Sequence, residues 1–136
     1  MPDFAAPYAD ALLFSAAFII LILIQNFVAT YFRNVVEPYK AGEALPANHD
    51  SATYRQVRSF ENSLENGVPY LGAMALAILA GASPTWVYWT ALIFLIARIG
   101  HWACYSANIP LARTVCFLAG FAATMALAVV TALPLI

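Results

Sequence analysis

Arg55, Arg58, Asn62, Glu65, Asn66 and Pro69 recur at helical spacing within one short stretch of the chain. That spacing puts them on one stripe of an α-helix. At 1.5 Å of rise per residue, Arg58 and Glu65 stand about 10 Å apart along the axis. Arg98, His101 and Tyr105 follow at offsets of three and four and share a face of a later helix. Arg113 stands in the first turn of the last apolar run, and Arg33 at the end of the first. Arginine forks suit the carboxylates of a bound molecule. Glu65 suits an ammonium group and Asn62 a peptide amide, so the set fits a small zwitterionic or anionic ligand. No His, Cys and carboxylate set has metal-ligand spacing, so no metal is required. Cys104 and Cys116 both lie inside apolar runs and read as buried reduced thiols, neither a disulfide framework nor a zinc site.

The elements that must position these groups are membrane helices. Of the 136 residues, 63% are hydrophobic and only 10% charged, with a mean hydropathy of +0.78. A soluble domain carries about 45–50% apolar and about 25% charged residues, so an ordinary water-soluble globule is excluded. Disorder is excluded by the same figures. A net charge of −1 leaves no basic patch for nucleic acid. The whole chain, residues 1–136, reads as a single all-α membrane domain with four spans, at about 9–33, 53–80, 85–106 and 110–133. Each is near the length that crosses a bilayer as a helix. The first run lacks the basic start of a cleaved signal peptide, since Asp3 and Asp10 precede it without Lys or Arg. Residues 34–52 form a polar loop punctuated by Pro38, Gly42 and Pro46. His49 falls in it and reads as a solvated loop residue. The second helix is expected to start at Ser51 or Thr53 as N-cap. Trp86, Tyr88 and Trp89 open the third span as an aromatic belt.

All six basic residues, Arg33, Lys40, Arg55, Arg58, Arg98 and Arg113, fall near the first or third loop. The positive-inside rule makes those loops cytoplasmic and both termini non-cytoplasmic, in the inner membrane of a bacterium or the endoplasmic reticulum of a eukaryote. Every helix then sends a cation or hydrogen-bonding group into one cytoplasm-proximal layer. An ionisable group within a span costs about 2.5–3.5 kcal/mol on insertion scales, and a ligand site would explain the convergence. Each group also admits a plainer role. Arg98 and Arg113 can snorkel to headgroups, Asn62 and Glu65 can glue helices together, His101 can be a packing residue, and Pro69 can merely kink its helix.

Arg55-Gln56-Val57-Arg58 followed by Asn62-Ser63-Leu64-Glu65-Asn66-Gly67-Val68-Pro69-Tyr70, then Arg98-Ile99-Gly100-His101, Tyr105 and Pro110-Leu111-Ala112-Arg113-Thr114, resembles the MAPEG family. These are the membrane-associated proteins of eicosanoid and glutathione metabolism, and the likeness is nearest to the microsomal glutathione transferase branch. It covers nearly the whole chain. The resemblance implies a homotrimer of four-helix subunits with glutathione at the subunit interfaces. It implies that Arg58, Asn62 and Glu65 bind the tripeptide together with Arg98, His101 and Tyr105, that Arg33 holds a terminal carboxylate, and that Arg113 stands beside the glutathione sulfur as the catalytic residue. The prostaglandin synthase branch has an arginine before the Asn and a serine after the late arginine. Here those positions are Glu61 and Thr114, which argues against prostaglandin isomerisation.

The resulting expectation is transfer of glutathione, as co-substrate, to a lipophilic electrophile arriving from the lipid membrane. Arg113 and nearby helix N-terminal amides would stabilise the thiolate, the reactive form of a thiol. Reduction of a lipid hydroperoxide is a variant. A non-catalytic membrane binding protein on the same scaffold is the alternative. A four-helix drug–proton exporter would be expected to carry an acidic residue in its first span, and none stands between Ala11 and Phe32.

Overall fold

A computed structural model describes residues 2–40 and 42–135. It contains four long helices, α1 (Ala9–Tyr31), α2 (Ala52–Leu79), α3 (Pro84–Ser106) and α4 (Pro110–Ala132), and no strand among the described residues. Short 3₁₀ turns lie at Ala6–Tyr8 and Leu133–Leu135, and a π turn at Phe32–Val36 closes α1. The chain is an all-helical bundle in which α1, α3 and α4 are long and apolar enough to cross a membrane. Helix α2 falls outside that class because Arg55, Arg58, Glu61 and Glu65 charge its first half.

Residue order dictates which face of each helix turns inward. On α1, Ala11, Ser15, Phe18, Leu21, Gln25 and Ala29 are buried at offsets of three and four. The outward positions are Leu13, Leu23 and Phe27, each more than half exposed. Apolar side chains on both the inner and the outer faces are what a helix needs when its surroundings are lipid. The core is aromatic. Tyr70 stacks on Phe94 with ring centroids 3.8 Å apart, and Phe18 meets Phe94 edge-on at 4.9 Å. Tyr70 does not strand its hydroxyl, which lies 2.9 Å from Ser15 Oγ. A Cβ built on Gly67 would stand 2.9 Å from the Phe18 ring, so the absence of a side chain there is what lets α1 and α2 approach.

Helix ends follow local chemistry. Ser51 caps α2, its hydroxyl accepting from Tyr54 N at 3.0 Å. The α2 C-terminus closes with Gly81 at φ +65°, with Ala82 N donating to Ala77 O and Gly81 N to Ile78 O. This is a Schellman closure. The α3 C-terminus repeats it with Asn108 at φ +55° and Ile109 N donating to Cys104 O. Pro69 sits inside an unbroken α2. Cys104 and Cys116 are free and half-buried rather than fully enclosed. Cys116 Sγ packs against Gly100, 2.9 Å from where a Cβ would be.

The polar loop is tied to the bundle. The Ser51 hydroxyl donates to Glu37 Oε2 at 2.5 Å, which holds the Glu37 carboxyl below the ordinary carboxylate range. Arg55 Nη1 donates to the carbonyls of His49 and Asp50 at 2.7 and 2.9 Å. Arg55 therefore straps the loop, where its place on the α2 stripe suggests a position beside the other polar residues.

Candidate functional site

Between α2, α3 and α4 runs an open groove of about 330 Å³ lined by His49, Tyr54, Arg58, Asn62, His101, Tyr105, Arg113, Thr114 and Phe117. Five of the eight residues expected to form the site line it: Arg58, Asn62, His101, Tyr105 and Arg113. Arg113 owes its place to the α3–α4 turn, which folds the first turn of α4 back over Tyr105. Its guanidinium carbon lies 4.5 Å from the Tyr105 ring centroid, a cation–π contact. Its Nη1 stands 3.4 Å from His49 Nδ1. The Thr114 hydroxyl donates to Pro110 O at 3.1 Å.

His49 is an exposed loop residue, as its sequence context suggests, and it also reaches the groove. The straps from Arg55 and Ser51 carry it over the groove, where its ring meets Tyr54 at 5.1 Å and Tyr105 at 6.1 Å. Nothing in its local sequence marks that placement, because the straps join residues from separate elements.

Arg98 is fully buried and stands behind the groove rather than in its wall. Its Nη2 donates to Asn62 Oδ1 at 2.9 Å and to Ser63 Oγ at 3.2 Å, and lies 3.3 Å from His101 Nδ1. Its Nε and Nη1 have no partner among the described residues, and neither does the amide of buried Gln25. Arg98, His101 and Tyr105 do share one helical face, as their offsets require. That face has depth, so its members lie at different distances from the ligand space.

Arg33 lies elsewhere. It lines a second cavity of about 300 Å³ with Glu43, Tyr54, Arg58 and Glu61, and its Nη2 donates to Glu43 O at 2.8 Å. Within one chain Arg33 and Arg113 therefore line different cavities, with Arg58 on the wall of both. Arg58 Nη1 pairs with Glu61 Oε2 at 2.6 Å and lies 3.7 Å from Glu65 Oε1. This supplies the partner for Glu61 that its spacing allows. The Glu65 side chain is 59% exposed and lies outside the groove wall. A larger cavity, about 450 Å³ between α1 and α2, is lined almost wholly by apolar side chains such as Leu12, Ile19, Leu71 and Met74.

Electrostatically the groove is one-sided. Arg58 and Arg113 both face it and no carboxylate lines it. Asn62 Oδ1 is already taken by Arg98 and, at 3.4 Å, by Asn66 Nδ2. Among known proteins, the chain matches the model described as the MAPEG family over residues 11–133, a span that takes in every residue of both polar cavities. No curated protein matches it.

Proposed function

The chain belongs to the MAPEG family, and from that premise we propose that it binds glutathione in the α2–α3–α4 groove, activates its thiolate and transfers it to a lipophilic electrophile. The observation that carries this reading is Arg113. Its guanidinium is held over Tyr105 at the groove wall and has no carboxylate partner among the described residues. A cation left unneutralised beside a ligand space is what a thiolate requires, because a nearby positive charge favours the charged form of a thiol. Asn62 supplies an amide for the peptide, Arg58 a fork for a carboxylate, and His101 and Tyr105 the facing wall. In the reaction the sulfur loses its proton to solvent. The thiolate electron pair then forms a C–S bond at the electrophilic carbon, and the displaced group leaves with the electrons of the broken bond. A lipid hydroperoxide would instead be reduced by two glutathiones to an alcohol and water, with the two sulfurs oxidised to a disulfide.

Glu65 and Arg33 would join this site only across subunits. Glu65 is largely exposed on a helix whose second half is apolar, and a carboxylate facing lipid is costly. A second copy covering that face removes the cost, which supports self-association of the chain; three copies with glutathione between subunits are what the family resemblance implies. The distribution of the basic residues supports a cytoplasmic position for the groove. The test is calorimetry of glutathione against the detergent-solubilised protein, followed by conjugation of a chromogenic aryl halide. Saturable binding and turnover are expected. Binding with no turnover toward any electrophile or hydroperoxide would make this a non-catalytic binding protein, and absence of binding would overturn the reading.

A further inference from the structure

Arginine has five N–H donors and no acceptor. Its contacts therefore fix the polarity of whatever it touches. Arg98 Nη2 has two hydrogens for three neighbours, Asn62 Oδ1, Ser63 Oγ and, at 3.3 Å, His101 Nδ1. The contact to His101 is a hydrogen bond only when Nδ1 accepts, so sharing a hydrogen with it favours the Nε2–H tautomer of the neutral imidazole. The same Nη2 donates to Asn62 Oδ1 at 2.9 Å, which fixes which end of that amide is oxygen. Among the described residues Asn62 Nδ2 has no protein acceptor and neither has His101 Nε2, and neither atom is sealed away from the groove. Both residues line the groove.

We propose that Arg98 is a positioning residue: it turns Asn62 and His101 outward as hydrogen-bond donors and so restricts the groove to acceptor-rich, anionic ligands. The buried guanidinium touches no ligand. It acts by occupying the acceptor atoms of two groove residues at once. Together with Arg58 this makes every free polar group on the α2 and α3 walls, phenols aside, a donor, and Arg113 adds a cation from α4. A peptide carbonyl, a carboxylate or a thiolate is matched by such a wall, whereas an amine finds only the hydroxyl oxygens of Tyr54, Tyr105 and Thr114 to accept its protons. Ser63, the third group Arg98 holds, is wholly buried and anchors the guanidinium from behind.

The assignment of the ligand as glutathione rests on the function proposed above, but the polarity of the wall does not. The first measurement is the ¹⁵N spectrum of histidine-labelled protein in nanodiscs, with the His101 signals assigned by their disappearance in His101→Gln. A single Nε2–H tautomer is expected, with Nδ1 unprotonated. An Nδ1–H tautomer, or an even mixture of the two, overturns the proposal. Arg98→Met should release the imidazole into mixed tautomers. Because that variant removes a buried anchor and can misfold, Asn62→Asp is the second. The carboxylate introduced by Asn62→Asp still accepts from Arg98 and removes the donor to the groove, so thermal stability should hold while glutathione affinity falls about tenfold or more. Affinity unchanged in Asn62→Asp means the Asn62–Arg98 pair is helix glue and contradicts the proposal. If the wild-type protein fails to bind glutathione, the ligand assignment falls, and the tautomer still decides whether Arg98 orders the wall.

Discussion

At the scale of single residues, the proposed site has groups that would touch a ligand and groups that would aim them, and the two should respond differently to substitution. The Arg58–Glu61 pair is close, 2.6 Å, but both side chains are more than a third exposed. Such pairs contribute about 0–1 kcal/mol, so Glu61→Gln should change the melting temperature little. A loss of several degrees would show that Glu61 does more than pair. Tyr105 supports Arg113 through its ring face, so Tyr105→Phe should keep thiol activation. Tyr105→Leu should lower it by about 0.5–1 kcal/mol, the size of an exposed cation–π contact; activity equal in both variants would remove the ring from the account. Much of this is legible in the sequence. Helical spacing and family likeness single out Arg58, Asn62, His101, Tyr105 and Arg113, and all five line one groove. Periodicity gives the face of a helix but not the depth of a residue within it, so it does not separate Arg98 behind the wall from His101 in it. His49 carries no signal at all, because loop residues have no period and its position depends on straps from other elements.

At the scale of elements, each helix boundary and close approach has a local cause that can be removed. Gly67 faces Phe18 with no room for a Cβ, whereas Gly72, one helical turn and a half further on, has nothing within 4 Å. Gly67→Ala should therefore cost about 1–3 kcal/mol through overpacking, while Gly72→Ala should be neutral or slightly stabilising. Equal effects in a denaturation series would refute the α1–α2 packing described above. The Ser51–Glu37 contact carries a pH dependence. A carboxyl whose folded value is lowered contributes stability above the ordinary carboxylate range, and that stability is lost as pH falls through the lowered value. The melting temperatures of wild type and Glu37→Gln should therefore differ near neutrality and converge below about pH 4; a gap that persists in acid would deny the contact its ionic character. Cap residues, turn glycine and amphipathic spacing lie next to one another in sequence, so they can be read there. The Ser51–Glu37 tie joins residues 14 apart through the folded loop, and no local pattern announces it.

For the whole molecule, the bundle divides its polar residues between two cavities that share Arg58, with Arg33 lining one and Arg113 the other. One chain therefore presents two partial sites, and in the proposed assembly the exposed Glu65 carboxylate marks the face that a second copy covers. Composition makes the membrane setting legible, since no water-soluble fold of this length could bury so large an apolar fraction. The division of the site is not legible, because helix order says which residues share a level and not which side of α2 they face. The central claim is that Arg113 stabilises a glutathione thiolate. The most direct measurement is the ultraviolet difference spectrum of purified protein titrated with glutathione at neutral pH, for wild type and Arg113→Ala, with binding measured in parallel by calorimetry. A saturable thiolate absorbance is expected in the wild type, disappearing in Arg113→Ala while most of the binding survives. A thiolate signal that persists in the variant, or that falls only in step with binding, would contradict it.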